Sequence, residues 1–192
     1  MRRRTCPPGA ARGITLTVAS AAVLALAACS PALDWRTLNI PGGDFSVLMP
    51  GRTEPETRSV ELDGHTLTLH LHSVHIEGSA WGVAWAELPE GLSAPARTRV
   101  REAALAGWGR IAGQAIEPTP VAPSQADAAS GLACQAIEAR GMSGSREVTI
   151  AARACTTGRR YYQLIAIGPA DALDAGSRAG DNTAFLASLQ LH

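Results

Sequence analysis

The chain has 192 residues, of which 46% are hydrophobic, and it carries seventeen arginines, no lysine and seventeen acidic residues, giving a formal net charge of zero. Such a balance lacks the clustered basic charge that nucleic-acid binding requires. The length suits one domain around one core.

Arg2, Arg3 and Arg4 precede an apolar run over residues 14–28, which closes on Leu26, Ala27 and Ala28 directly before Cys29. A basic head, a short apolar segment and small residues at a cut point are the three parts of a secretory signal peptide. The run is about fifteen residues, short of the roughly twenty that a membrane-crossing helix needs. With a cysteine at the cut point, the segment resembles the bacterial lipoprotein signal. That resemblance implies removal of residues 1–28 and lipid attachment at Cys29, so the implied partner is the membrane, reached through the acylated N-terminus. It also implies a place in the cell envelope. An aspartate after the lipidated cysteine tends to signal inner-membrane retention in Gram-negative bacteria; Ser30 stands there instead, which points to the outer membrane, facing the periplasm. Without Arg2, Arg3, Arg4 and Arg12 the mature chain carries about −4, still with no basic footprint.

Residues 29–43, with Pro31, Pro41 and two glycines, read as a lipidated N-terminus and short tether containing at most a small strand over 35–40. Fully extended, such a tether reaches roughly 50 Å. A single globular domain is expected over 44–192. Within it, residues 45–49 predict a strand stopped by Pro50-Gly51. Residues 57–62 and 65–76 predict a hairpin about Asp63-Gly64, a strong two-residue turn signal. Residues 80–88 predict another strand, with Trp81, Val83 and Trp85 on one face and Gly82, Ala84 and Ala86 on the other. A bulky face and a smooth face imply burial on both sides, the small residues letting a helix come close.

Residues 95–115 carry the clearest helical pattern. Val100, Ala104, Gly107, Trp108, Ile111 and Ala115 recur at three- and four-residue spacing, while Arg97, Arg101, Glu102 and Arg110 point elsewhere. Gly107, Gly109 and Gly113 each weaken that helix by up to about 1 kcal/mol relative to alanine, so tertiary packing must hold it. They lie inside the helical stripe, where a dinucleotide-binding loop does not. Residues 117–125 read as a linking loop. Strands over 131–140 and 146–155 follow, joined by a glycine-serine turn, then a strand over 163–167 ended by Gly168-Pro169. Asp181 is placed to cap a last helix through Ala187.

Cys6 falls in the cleaved segment and Cys29 is committed to lipid, which leaves Cys134 and Cys155 as an even pair. If Arg140 lies opposite Thr149, the same register sets Cys134 opposite Cys155, at a Cα separation of about 4.5 Å in a non-hydrogen-bonded pair. A disulfide tolerates that distance. A cross-strand bridge is therefore expected, in keeping with an oxidising compartment.

His70 and His72 share one strand face, and the apolar phase changes from Leu67, Leu69 and Leu71 to Val74 and Ile76. A one-residue bulge near Ser73 would account for the change and return His75 to the face of His70 and His72. Three imidazoles there could hold zinc or copper, but no carboxylate or cysteine clearly converges on them, so no metal, cofactor or catalytic residue is assigned. The Trp81/Trp85 pair is the other candidate for a small ligand, by stacking. Gly141-Met142-Ser143-Gly144-Ser145 misses the spacing of an esterase elbow and lies in a β-turn. The expectation is a non-enzymatic protein. Arg159 and Arg160, ahead of two tyrosines, read as a strand entry with solvated charges.

Hairpins dominate the element order, which predicts an α+β domain with a mostly antiparallel sheet flanked by helices. Residues 44–50 (DFSVLMP), 162–168 (YQLIAIG) and 184–189 (AFLASL), together with that order, resemble small envelope lipoproteins of the PsbP-like fold, the DcrB-like and LpqN-like group. The resemblance implies an α/β/α sandwich with two main helices and an accessory or binding role. It carries over no catalytic or ligand residue, since fold does not decide function.

Overall fold

Turn chemistry sets the strand boundaries. In the computed structural model, which describes residues 33–173 and 177–192, Asp63 and Gly64 both take positive φ (50° and 76°) and join β3 (Glu54–Leu62) to β4 (His65–Ile76). Such turns match the right-handed twist of paired strands. Glu77 and Gly78 repeat the device between β4 and β5 (Ser79–Glu87). Residues 1–28, Cys29 and the first residues of the tether lie outside the described residues.

Two antiparallel sheets and the helices make an α+β domain. One sheet pairs β1 (Arg36–Ile40), β2 (Phe45–Met49) and β10 (Gln190–Leu191) in the order β1-β2-β10. The second adds β6 (Thr119–Val121), β7 (Ala133–Ser143), β8 (Arg146–Thr156) and β9 (Arg160–Pro169) to the first three, in the order β3-β4-β5-β9-β8-β7-β6. Four helices accompany them among the described residues: α1 (Ala94–Ile111), α2 (Gln125–Ser130), α3 (Ala170–Leu173) and α4 (Ser177–Leu186).

The seven-stranded sheet is the middle layer. On one face, Val100, Ala104 and Leu105 of α1 pack against Leu67, Leu69, Ala86, Ile137, Ala152 and Tyr161. On the other, Trp81, Val83, Leu164 and Ala166 meet Phe45, Val47 and Met49 of the small sheet, Leu173 of α3 and Phe185 of α4. The bulky and smooth faces of β5 are both used, as the alternation predicts: Trp81 is 1% exposed on one side and Ala86 is fully buried on the other.

Several boundaries differ from the sequence reading. The strand over 36–40 is a full partner of β2, from Arg36 opposite Met49 to Ile40 opposite Phe45, and Leu33 and Trp35 pack onto the core beside it. The folded unit thus spans Leu33–His192, so residues 33–43, expected in the tether, belong to it. Helix α1 stops at Ile111 because Gly113 turns left-handed (φ 75°): its N–H bonds Arg110 O, and Gln114 N–H bonds Gly109 O, a Schellman ending. The expected loop over 117–125 holds β6, and α2 follows it, opened by a reciprocal Ser124/Asp127 capping box. Asp181 lies inside α4, which begins at Ser177. Arg101 of α1 is buried (7% exposed), its Nε donating to Gln135 Oε1 at 3.2 Å, Nη2 to Thr98 Oγ1 at 2.9 Å and Nη1 to Thr156. Burial lowers its pKa from the ordinary arginine value.

The β7–β8 register sets Arg140 opposite Thr149 and Cys134 opposite Cys155, and the two cysteines form a disulfide with Cα atoms 4.1 Å apart. Arg153 ties this corner together. One guanidinium nitrogen donates to Leu186 O at the end of α4 (3.2 Å), and the other lies 3.4 Å from Cys134 Sγ and 3.9 Å from Asp127 of α2. Among the described residues, no helix is long and apolar enough to cross a membrane.

Candidate functional site

The two sequence candidates separate on the sheet. Strand β4 runs in continuous register from His65 to Ile76, with Glu54 opposite Ser73 on one side and Gly82 opposite Ser73 on the other. No bulge interrupts it, so the two-residue period puts His75 on the face opposite His70 and His72. The three-imidazole face therefore does not form. His70 stacks on Trp85 with ring centroids 4.5 Å apart, and His72 Nδ1 lies 3.4 Å from Thr53 Oγ1. Burial, and then the charge of His70, lowers the His72 pKa below the usual histidine value. Among the described residues, no three histidine, cysteine or carboxylate side chains are placed to hold a metal ion.

Trp81 and Trp85 are core residues. The indole N–H of Trp81 donates to Asn182 Oδ1 at 2.8 Å, and the ring meets Trp35 edge-on at 6.2 Å. Trp85 is sandwiched between His70 and the Arg160 guanidinium, 5.4 Å from the ring centroid. Arg160 in turn donates to Gly43 O at 2.6 Å and Asp44 Oδ2 at 2.9 Å, locking the β1–β2 turn in which Asp44 takes a φ of 51°. Burial pulls its pKa down, but hydrogen bonds to Asp44 and Tyr162 outweigh that and leave it raised. Both indoles are engaged by protein groups, and Arg160 is a structural clamp.

The apolar phase change in β4 has another cause: coverage of the sheet switches faces along the strand. Leu67 and Leu69 lie under the α1 layer, whereas Val74 and Ile76 pack against the opposite layer with Trp81. Where α1 has moved off over β8 and β7, the α1 face of β4, β5 and β9 is left open. A groove of about 370 Å³ results, floored by Leu71, Ala84, Gly82, Ile165 and Ile167 and walled by Trp108 of α1. From Leu69 to His75 it covers seven residues of strand, roughly 20 Å. That volume is within the usual size of ligand sites, which are apolar with a few polar groups.

Its polar rim consists of Ser73 and His75 at one end and Glu56 and Arg58 on the edge strand β3. Arg58 engages both carboxylate oxygens of Glu56, at 2.7 and 2.9 Å, and this hydrogen bond lowers the Glu56 pKa. Buried Gln163 contributes to the floor while accepting from Tyr161 Oη at 2.5 Å. A serine, a histidine and a carboxylate thus line one groove. Among the described residues no hydrogen bond joins Ser73 to His75, and Arg58 engages both Glu56 oxygens. What the groove offers is apolar surface.

Sequence reasoning did not single out Trp108, Ile165 or Ile167 as site residues. The signal nearest to them is the smooth stripe of β5, since Gly82 and Ala84 hollow the floor that Ala86 closes under α1. No protein-family model matches the chain, and no curated protein matches it either.

Proposed function

We propose that this chain is a lipid-anchored, non-enzymatic binding protein of the bacterial cell envelope, held by Cys29 at the periplasmic side of the outer membrane. The observation that carries the reading is the run Leu26-Ala27-Ala28-Cys29 behind a basic, apolar leader. A disulfide between Cys134 and Cys155 fits export to an oxidising compartment. Helices on both faces of an antiparallel sheet support the likeness to PsbP-like α/β/α sandwiches. The groove beside Trp108 is the binding surface, and its lining suits an apolar ligand in place of the metal ion or stacked ring that the His70/His72/His75 face and the Trp81/Trp85 pair suggest.

Multiple acyl chains make anchoring stable, at about 0.8 kcal/mol per buried methylene. Expression of the full chain and of Cys29→Ser in a Gram-negative host, followed by fractionation, tests the anchor. Wild type is expected in outer-membrane fractions and the variant in the soluble periplasm. Equal membrane association of the two would sink the reading.

A further inference from the structure

We propose that the end of the domain carrying Ile111 and Met142 is a second contact with the phospholipid surface, made by the protein itself beside the lipid; this rests on acylation at Cys29.

Three observations meet at that end. The first is the exit of the chain. Only Ser30, Pro31 and Ala32 separate Cys29 from Leu33, where the folded unit begins, so the lipidated residue lies within about 14 Å of it. Asp34 N–H bonds Pro50 O at 2.9 Å, and Gly51 adjoins Val74 and Ile76. The exit is therefore beside the last residues of β4.

The second is the register across the sheet. Ile76 faces Ser79, Ala80 faces Ile167, Ile167 faces Ile150 and Ile150 faces Ala139, which puts the end of β4 and the end of β7 on the same edge of the molecule. Three strand spacings, roughly 15 Å, separate β5 from β7. Met142 stands three residues beyond Ala139, so the β7–β8 hairpin projects about 10 Å past that row.

The third is exposure. Ile111 is 58% and Met142 60% exposed, the large hydrophobics most open to solvent among the described residues. Both border one shallow depression at the meeting of α1 and β7, where Gln114 Nε2 donates to Arg140 O at 2.6 Å. A lipid tether this short holds that edge at headgroup depth, and a bilayer is the surface on which two unburied apolar side chains there lose their contact with water.

The test uses the full lipidated chain in phosphatidylethanolamine/phosphatidylglycerol vesicles, with an environment-sensitive nitrobenzoxadiazole fluorophore at Ile111→Cys, Met142→Cys or, at the far end of the sheet, Glu90→Cys. Emission from the first two is expected to shift to the blue, to brighten roughly twofold or more, and to be quenched by nitroxide-labelled phospholipid, with Glu90→Cys unchanged. Emission at 111 and 142 matching that at 90 in vesicle-bound protein would overturn the contact. Mass spectrometry of the peptide containing residue 29 reports on the anchor separately. An unmodified Cys29 with quenching retained removes the anchor and keeps the contact; an unmodified Cys29 without quenching removes both.

Discussion

At Gly141 a methyl group would lie 2.6 Å from both the Cα and the carbonyl oxygen of Ala112, because the end of α1 rests directly on β7. Backbone cannot yield as a side-chain tip can. Gly141→Ala should cost about 1–3 kcal/mol as an overpacked contact. Gly107, inside α1, is the opposite case: its nearest neighbour would be the tip of Arg110 at 3.8 Å. Gly107→Ala should stabilise the protein by up to about 1 kcal/mol through helix propensity alone. Urea unfolding of the two variants decides; a higher midpoint for Gly141→Ala would mean that α1 does not bear on β7 as described. The sequence shows three glycines in this helix as equal weaknesses. Their roles divide only in space, where Gly113 ends the helix and Gly109 lies under Gln114 O.

Strands β7 and β8 are joined by the disulfide, whose cysteines are 21 positions apart, at the end of the hairpin far from its turn. Closing a loop of that size is worth roughly 3 kcal/mol in the chain-entropy model. The double variant Cys134→Ala/Cys155→Ala should lose about that much in denaturant titration, whereas an unshifted midpoint would leave the bridge without a stabilising role. This element was legible beforehand, since the turn chemistry and two-residue period specify which residues face each other. The same reasoning misread β4. A change of apolar phase looks identical in sequence whether the strand bulges or the covering layer changes sides. Only the placement of α1 and of the small sheet distinguishes them, and with them the fate of His75.

Across the whole molecule, the groove exists because α1 crosses the sheet toward β8 and β7 and leaves β4, β5 and β9 open beyond Trp108. An apolar dye such as anilinonaphthalene sulfonate should bind there and draw energy from Trp108. Ala84→Leu, which fills the floor, is expected to weaken that binding about tenfold, on the 1.5–3 kcal/mol scale of one buried aliphatic side chain. Undiminished binding by a folded Ala84→Leu chain would place the dye elsewhere. Local chemistry in the sequence by itself determined the hairpins, the cysteine register and the smooth and bulky faces of β5, because each depends on neighbours a few residues apart. Only the tertiary structure decided that residues 36–40 join the core, that Arg160 and Trp81 are structural, and that the open face of the sheet lies beside Trp108. Those outcomes depend on which layer covers which stretch of strand, and coverage is set by contacts between residues far apart in the chain.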